Sequence, residues 1–450
     1  MPLLETTWLL LVLAALPTAV TWRAVHSRQH CAFRWLDLGA VFMWIAFLYS
    51  FLPIMGILLA ERGVGNVADA RFHGAAAEPN AVLTAGWCYA ACMVGFSGAY
   101  LGGRRYSMSR QATRLPMAWK SFRSVLIIGI SVKVANVILR ASVGADTGGD
   151  YLSSYLTLRE SPLVLQQAVS LLGAMDISAT ILLIVSTLAY RPTLTLPVAG
   201  LLLAQVQIAV VTGGSRMAAT LGVFALLAAR ITYGRRISRA TLSALAFVGV
   251  VLFLLVGVIR SGSANIEINA LWYGLQNNEF SSIFLNATDL SARQADAPFP
   301  MAPESMYLVD ILRMVPQQVT GAIKADPAVT YVSTYYPEFW MNGGGLAFGV
   351  VAESIVGYGA VEAFLRGLVI GIGAALVSNA CLRGTVTPIR MFVHIWFVIM
   401  CFQSLRYTSL APAALFVIQA LPLLIGVRVL DGLVPNVATR TKREGAQLSQ

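Results

Sequence analysis

Along this chain, unbroken apolar runs of bilayer length alternate with short polar connections. A helix needs about 20 apolar residues to cross the hydrocarbon of a membrane. Runs of that kind lie at 4–22, 36–60, 81–103, 123–142, 163–190, 195–212, 217–233, 242–260, 360–381, 391–405 and 409–429. Three of them (195–212, 217–233 and 391–405) are short. Because lipid offers backbone groups no hydrogen bonds, spanning segments of this sort are helices. The pattern therefore predicts an all-α, polytopic integral membrane protein with about eleven transmembrane helices.

One connection breaks the rhythm. Residues 261–344 are polar, rich in aromatics and carry acidic side chains. Connections longer than about 15 residues are rarely passive, and Trp272, Phe280, Phe284, Tyr307, Tyr331, Tyr335, Tyr336, Phe339 and Trp340 give this one ample apolar anchors. An ordered outer loop is expected, with an interfacial helix over Ser305–Gln317, where Tyr307, Leu308, Ile311, Leu312 and Val315 fall at helical spacing. The expected organisation is helices one to eight over 1–260, the loop over 261–344, a half-helix and helices nine to eleven over 345–429, and a basic tail over 430–450.

Composition agrees with the pattern: 57% of residues are hydrophobic and 12% charged, about half the usual charge of a soluble domain. The net charge of +11 changes the picture only once it is placed. Eleven spans put 20 of the 32 Lys and Arg residues on one face, 10 on the other and 2 inside, while the acidic residues divide 3, 15 and 3. By the positive-inside rule the basic face is cytoplasmic, so the N-terminus and 261–344 are expected outside. No basic, aromatic-lined soluble face exists to suggest nucleic acid. The five cysteines avoid the long outer loops, and Cys88 and Cys92 stand one turn apart in an apolar run; neither a disulfide framework nor a metal site is implied. The first apolar run lacks a basic leader and a small-residue cleavage site, and reads as a span.

Candidate chemistry gathers at the outer face. Arg216 follows Gly213-Gly214-Ser215 at a tight corner, Arg260 ends the eighth span and Arg406 ends the tenth. A lone arginine at such a depth serves as a snorkelling anchor. Three together suit a lipid-linked phosphate or pyrophosphate, which guanidinium forks bind in bidentate fashion. Further on, Gly343-Gly344-Gly345 precedes 346–356, which is too short to cross and is bracketed by Gly357 and Gly359. It is expected to be a re-entrant half-helix, and it places Glu353 in apolar surroundings. A carboxylate there is a candidate general base, unless it serves as the structural partner of an arginine. Asp310 and Glu338 are its rivals; Arg313, Tyr336 and Ser215 are secondary candidates, and His73 is the one histidine in an outer loop. Lys133 with Asp176, and Glu362 with Arg366, are expected to be structural ion pairs, and His394 a packed core histidine.

The span count, the long loop before the last three spans, the Gly214-Ser215-Arg216 corner and the Gly343-Gly344-Gly345…Glu353…Tyr358-Gly359 stretch resemble bacterial O-antigen and capsule repeat-unit polymerases. In that family the segment after the acidic residue usually reads Glu-x-Tyr-x-Asn-Phe-Gly. Here it is Glu353-Ser354-Ile355-Val356-Gly357-Tyr358-Gly359, without the first Tyr and the Asn. The resemblance implies an inner-membrane glycosyltransferase acting in the periplasm, metal-independent, inverting and without a cofactor. It would move a growing glycan from undecaprenyl pyrophosphate onto an incoming lipid-linked repeat unit, among membrane lipids and with a chain-length regulator as a partner. Two other readings stand beside it. An O-antigen ligase-like transferase is expected to carry a histidine in the long loop, and 261–344 has none. A flippase or transporter would use charges such as Lys133, Asp176 and Glu362 to line a path across the bilayer.

Overall fold

A computed structural model describes residues 3–28, 36–61, 75, 78–105, 116–143, 157, 160–202, 216–233, 279–294, 296–312, 315, 326–341, 345–383 and 385–433. Among the described residues every regular element is a helix and there is no strand. Eight helices among them are long and apolar enough to cross a membrane. They are α1 (Leu3–Arg28), α2 (Leu38–Glu61), α3 (Pro79–Gly103), α4 (Trp119–Ser142) and α5 (Leu163–Tyr190), then α13 (Ala360–Leu382), α14 (Pro388–Arg406) and α15 (Ala411–Leu433). The sixth and seventh expected spans fall on two shorter apolar helices, α6 (Pro192–Leu202) and α7 (Arg216–Tyr233). The sixth is described only as far as residue 202, and the eighth, 242–260, lies outside the described residues.

The described part of the long loop is helical and packed. It comprises α8 (Glu279–Arg293), α9 (Pro303–Leu312), α10 (Pro327–Tyr335) and α11 (Pro337–Met341). Of the helix expected over 305–317, α9 covers 305–312, turning Met306, Val309 and Asp310 inward and leaving Tyr307, Leu308 and Ile311 exposed; most of 313–317 lies outside the described residues. After the loop comes α12 (Gly349–Val356), eight residues long and buried at every position. That is too short to cross a bilayer at the rise of a helix.

The chain divides into two compact units: 1–113, 235–386 and 393–415 in the first, and 114–234, 387–392 and 416–450 in the second. In the first, α3 and α13 run so close that a methyl group added at Gly95, Gly367 or Gly371 would collide with a backbone carbonyl of the facing helix. Small residues at this spacing are how membrane helices approach in the absence of a hydrophobic drive between them. Stacked Phe42, Phe96 and Tyr100 fill the space beside this seam. At the far end of α13, the Tyr100 hydroxyl donates to Asp37 at 2.8 Å, and Arg104 and the Arg105 amide donate to Asn379 at 2.9 Å each. His394 is fully buried and hydrogen-bonds the Leu36 carbonyl at 2.7 Å, the packed role expected of it.

In the second unit, Phe122 stacks on Tyr190, and Ser121 and Ser124 donate to Asp431. The expected pair between the fourth and fifth spans is made: Lys133 donates to Asp176 at 3.0 Å and to Thr180 at 2.8 Å.

Candidate functional site

The first unit holds a buried charge cluster centred on Arg366, one turn into α13. Its Nε donates to Glu362 at 2.7 Å, as the helical i,i+4 spacing predicts. Its Nη1 reaches Glu353 on α12 at 2.8 Å, Asp310 on α9 at 3.0 Å and the Ser409 hydroxyl at 2.8 Å. The side chains of Arg366, Asp310, Glu353 and Glu362 are each at most 5% exposed. Two polar atoms in this cluster, Oε1 of Glu353 and Nη2 of Arg366, are buried without a hydrogen-bond partner among the described residues. An orphaned buried polar atom is expensive and calls for an explanation.

Backbone geometry seats Glu353. Gly349 opens α12 at φ +79°, and its amide donates to the Tyr407 carbonyl at 2.8 Å while the Phe348 amide donates to the Arg406 carbonyl at 3.1 Å. A Cβ at Gly349 would strike the Leu405 carbonyl. The segment's close backbone approach is made at Gly349. Gly345 has open space around it, and Gly343 and Gly344 lie outside the described residues. At the other end of α12, the Glu362 carboxylate fills the room beside Gly357 and accepts the Tyr358 amide at 2.9 Å.

The outer side of the cluster is Tyr307, whose ring covers the Arg366 guanidinium at 4.6 Å from the ring centre. It is 42% exposed. Partial burial and the Glu362 carboxylate raise its phenol above the ordinary range.

A second knot orders the loop. Asp289 on α8 accepts the hydroxyls of Tyr331 and Tyr336 at 2.7 Å each and receives Nε of Arg293 at 3.0 Å. Arg293 in turn lies over the Tyr335 and Tyr336 rings, 5.3 Å from each. Burial and the Asp289 carboxylate push the Tyr336 phenol up to about 12, and Tyr331 is raised for the same reasons.

Of the residues singled out from sequence, Glu353 and Asp310 meet in one cluster, while Glu338 is exposed on α11 and makes none of the cluster's contacts. Tyr336 belongs to the loop knot. Arg406 ends α14 with its guanidinium over the Tyr407 ring at 5.2 Å. Only the backbone of Arg216 is described, opening α7 in the second unit. Arg260, Arg313, Ser215 and His73 lie outside the described residues. Sequence reasoning missed the hub: Arg366 reads as the partner of Glu362 alone, and Ser409 and Tyr307 carry no spacing signal. The available clue was that one i,i+4 carboxylate can satisfy only part of a guanidinium with five N–H donors. Compared with protein-family models, curated proteins and solved structures, the chain finds no match.

Proposed function

We propose that this protein is an O-antigen or oligosaccharide repeat-unit polymerase of the bacterial inner membrane. In this reading the long loop faces the periplasm and α12 is a re-entrant half-helix beneath it. A hydroxyl of the incoming lipid-linked repeat unit attacks the anomeric carbon of the growing glycan. The bond to undecaprenyl pyrophosphate breaks, the pyrophosphate leaves with its charge, and Glu353 takes the proton of the attacking hydroxyl. The observation that carries the reading is the meeting of Glu353, Asp310 and Arg366 under a loop helix, with one carboxylate oxygen left unpartnered. A general base must present a free lone pair to the proton that it removes. Arg406 and Arg260, of the first unit, are assigned to the pyrophosphate, whose developing charge fixed guanidinium groups stabilise.

The charges within the described spans support a transferase over a transporter. Lys133 is paired with Asp176, and Arg366 is bound by three carboxylates, so neither cation is left to line a path. The test is lipopolysaccharide banding from a strain lacking the gene. A band of core plus one repeat unit is expected. Bare core would replace this reading with a ligase or a flippase.

A further inference from the structure

The Arg366 cluster carries more than a base. Among the described residues three carboxylates, Asp310, Glu353 and Glu362, share one guanidinium in a space of at most 5% exposure. A phosphate or pyrophosphate brought to this guanidinium would meet three carboxylates already bound to it, and like charges at contact in a low-dielectric site are strongly repelled. The free edge of Arg366 is therefore unfit for an anion. It is fit for a group that accepts one hydrogen bond and donates another. Among the described residues Nη2 of Arg366 is a donor without an acceptor, and Oε1 of Glu353 is an acceptor without a donor. The 2.8 Å contact between their sister atoms puts both orphans on one ion pair, and a single hydroxyl oxygen can accept from one group and donate to another up to about 6 Å away.

We propose that Oε1 of Glu353 and Nη2 of Arg366 form a receptor for one hydroxyl of a neutral sugar, reached beneath Tyr307. This rests on the transferase reading and deepens it: the cluster is the acceptor subsite, and the pyrophosphate is held elsewhere. Tyr307 is the natural cover. It lies over the guanidinium, and it belongs to the exposed apolar face of α9 together with Leu308 and Ile311. Tyr358, Val361 and Leu365, at the start of α13, are likewise exposed and largely apolar. The sugar head of an amphiphile would thus reach the cluster from the side that apolar residues dominate. When a hydroxyl binds, its proton points at Oε1, where a base must be, and its lone pair takes the hydrogen bond from Nη2.

The test uses the full chain in lipid nanodiscs with trifluoromethyl-phenylalanine in place of Tyr307, read by fluorine NMR. Octyl β-D-glucoside below its micelle concentration is expected to shift the signal saturably. Octyl phosphate and the fully O-methylated glucoside, which has no hydroxyl to donate, are expected to leave it unmoved. Glu353→Leu, which removes the acceptor and lessens the excess negative charge, is expected to abolish the saturable shift, and Arg366→Lys to weaken binding at least tenfold. The proposal is overturned if the unaltered cluster gives no saturable shift, if the methylated glucoside or octyl phosphate binds as well, or if Glu353→Leu binds normally. None of these arms needs turnover. Their failure leaves the gel test of the polymerase standing, and a failed gel test leaves hydroxyl binding standing while removing its assignment as the acceptor subsite.

Discussion

Arg366 and Glu353 stand thirteen positions apart in the chain, on different helices, and meet at 2.8 Å in a space closed to solvent. Among the described residues the guanidinium is the single positive charge bound to three carboxylates. Removing one partner of a buried ion pair costs about 3–5 kcal/mol when the other charge is left uncompensated. The two residues are therefore not equivalent. Arg366→Gln strands three carboxylates and is expected to abolish accumulation of folded protein. Glu353→Gln relieves the negative excess and is expected to keep normal abundance and melting temperature while losing long-chain glycan. Expression and thermal stability in detergent, measured side by side, check this order. Equal damage from both would mean that Glu353 serves only to hold the fold.

Gly349→Ala is expected to destabilise the seat of Glu353. A left-handed conformation costs a residue with a side chain about 1–3 kcal/mol, and the added methyl group would also strike the Leu405 carbonyl. Gly345→Ala meets open space and is expected to be neutral. A glycan-length gel of the two strains separates them: shortened chains for the first, normal length for the second.

The loop knot should respond to alkali. The Tyr336 phenol is raised to about 12 by burial and Asp289, so the folded loop favours the protonated ring. Its contribution to stability is complete below pH 10, the ordinary phenol value, and is lost as pH rises towards 12. Asp289→Asn removes the carboxylate and is expected to bring part of the tyrosine absorbance change at high pH down towards 10. It is also expected to expose the loop to protease at neutral pH. An unchanged titration would show that Asp289 does not set the ionisation of these rings.

Orientation is open to direct measurement. Alkaline phosphatase fused after Gln294 is expected to be active and fused after Arg239 inactive, as the 20-to-10 division of basic residues requires. The reverse pattern would turn the protein over and remove the outer-face assignments with it.

Arg406→Lys tests the pyrophosphate assignment. A lysine keeps the charge but loses the fork, and a lost charged hydrogen bond of about 1.5–3 kcal/mol corresponds to roughly ten- to a hundredfold in rate. Polymerisation rate in membranes carrying this variant should fall by that factor while Arg390→Lys, at the opposite end of the same helix, leaves it unchanged.

Hydropathy alone determined that this chain is helical and built to live in a bilayer, because about 20 apolar residues in a row satisfy lipid only as a helix. It also placed α9, whose apolar residues recur at helical spacing, and bounded the short segment around Glu353 by its glycines. The meeting of Asp310, Glu353, Arg366 and Ser409 was not legible there. Their separations, 13 to 99 positions, follow no period, and only the packing of α9, α12, α13 and the turn before α15 brings them together. For the same reason the close backbone approach at Gly349 could not be read from the sequence. A triplet announces backbone freedom, but where another chain segment comes within reach of a missing Cβ is decided by tertiary contact. Local periodicity reports what one helix does with its own faces. Which charge ends up beside which is settled by the close crossings between helices, and those depend on the whole bundle.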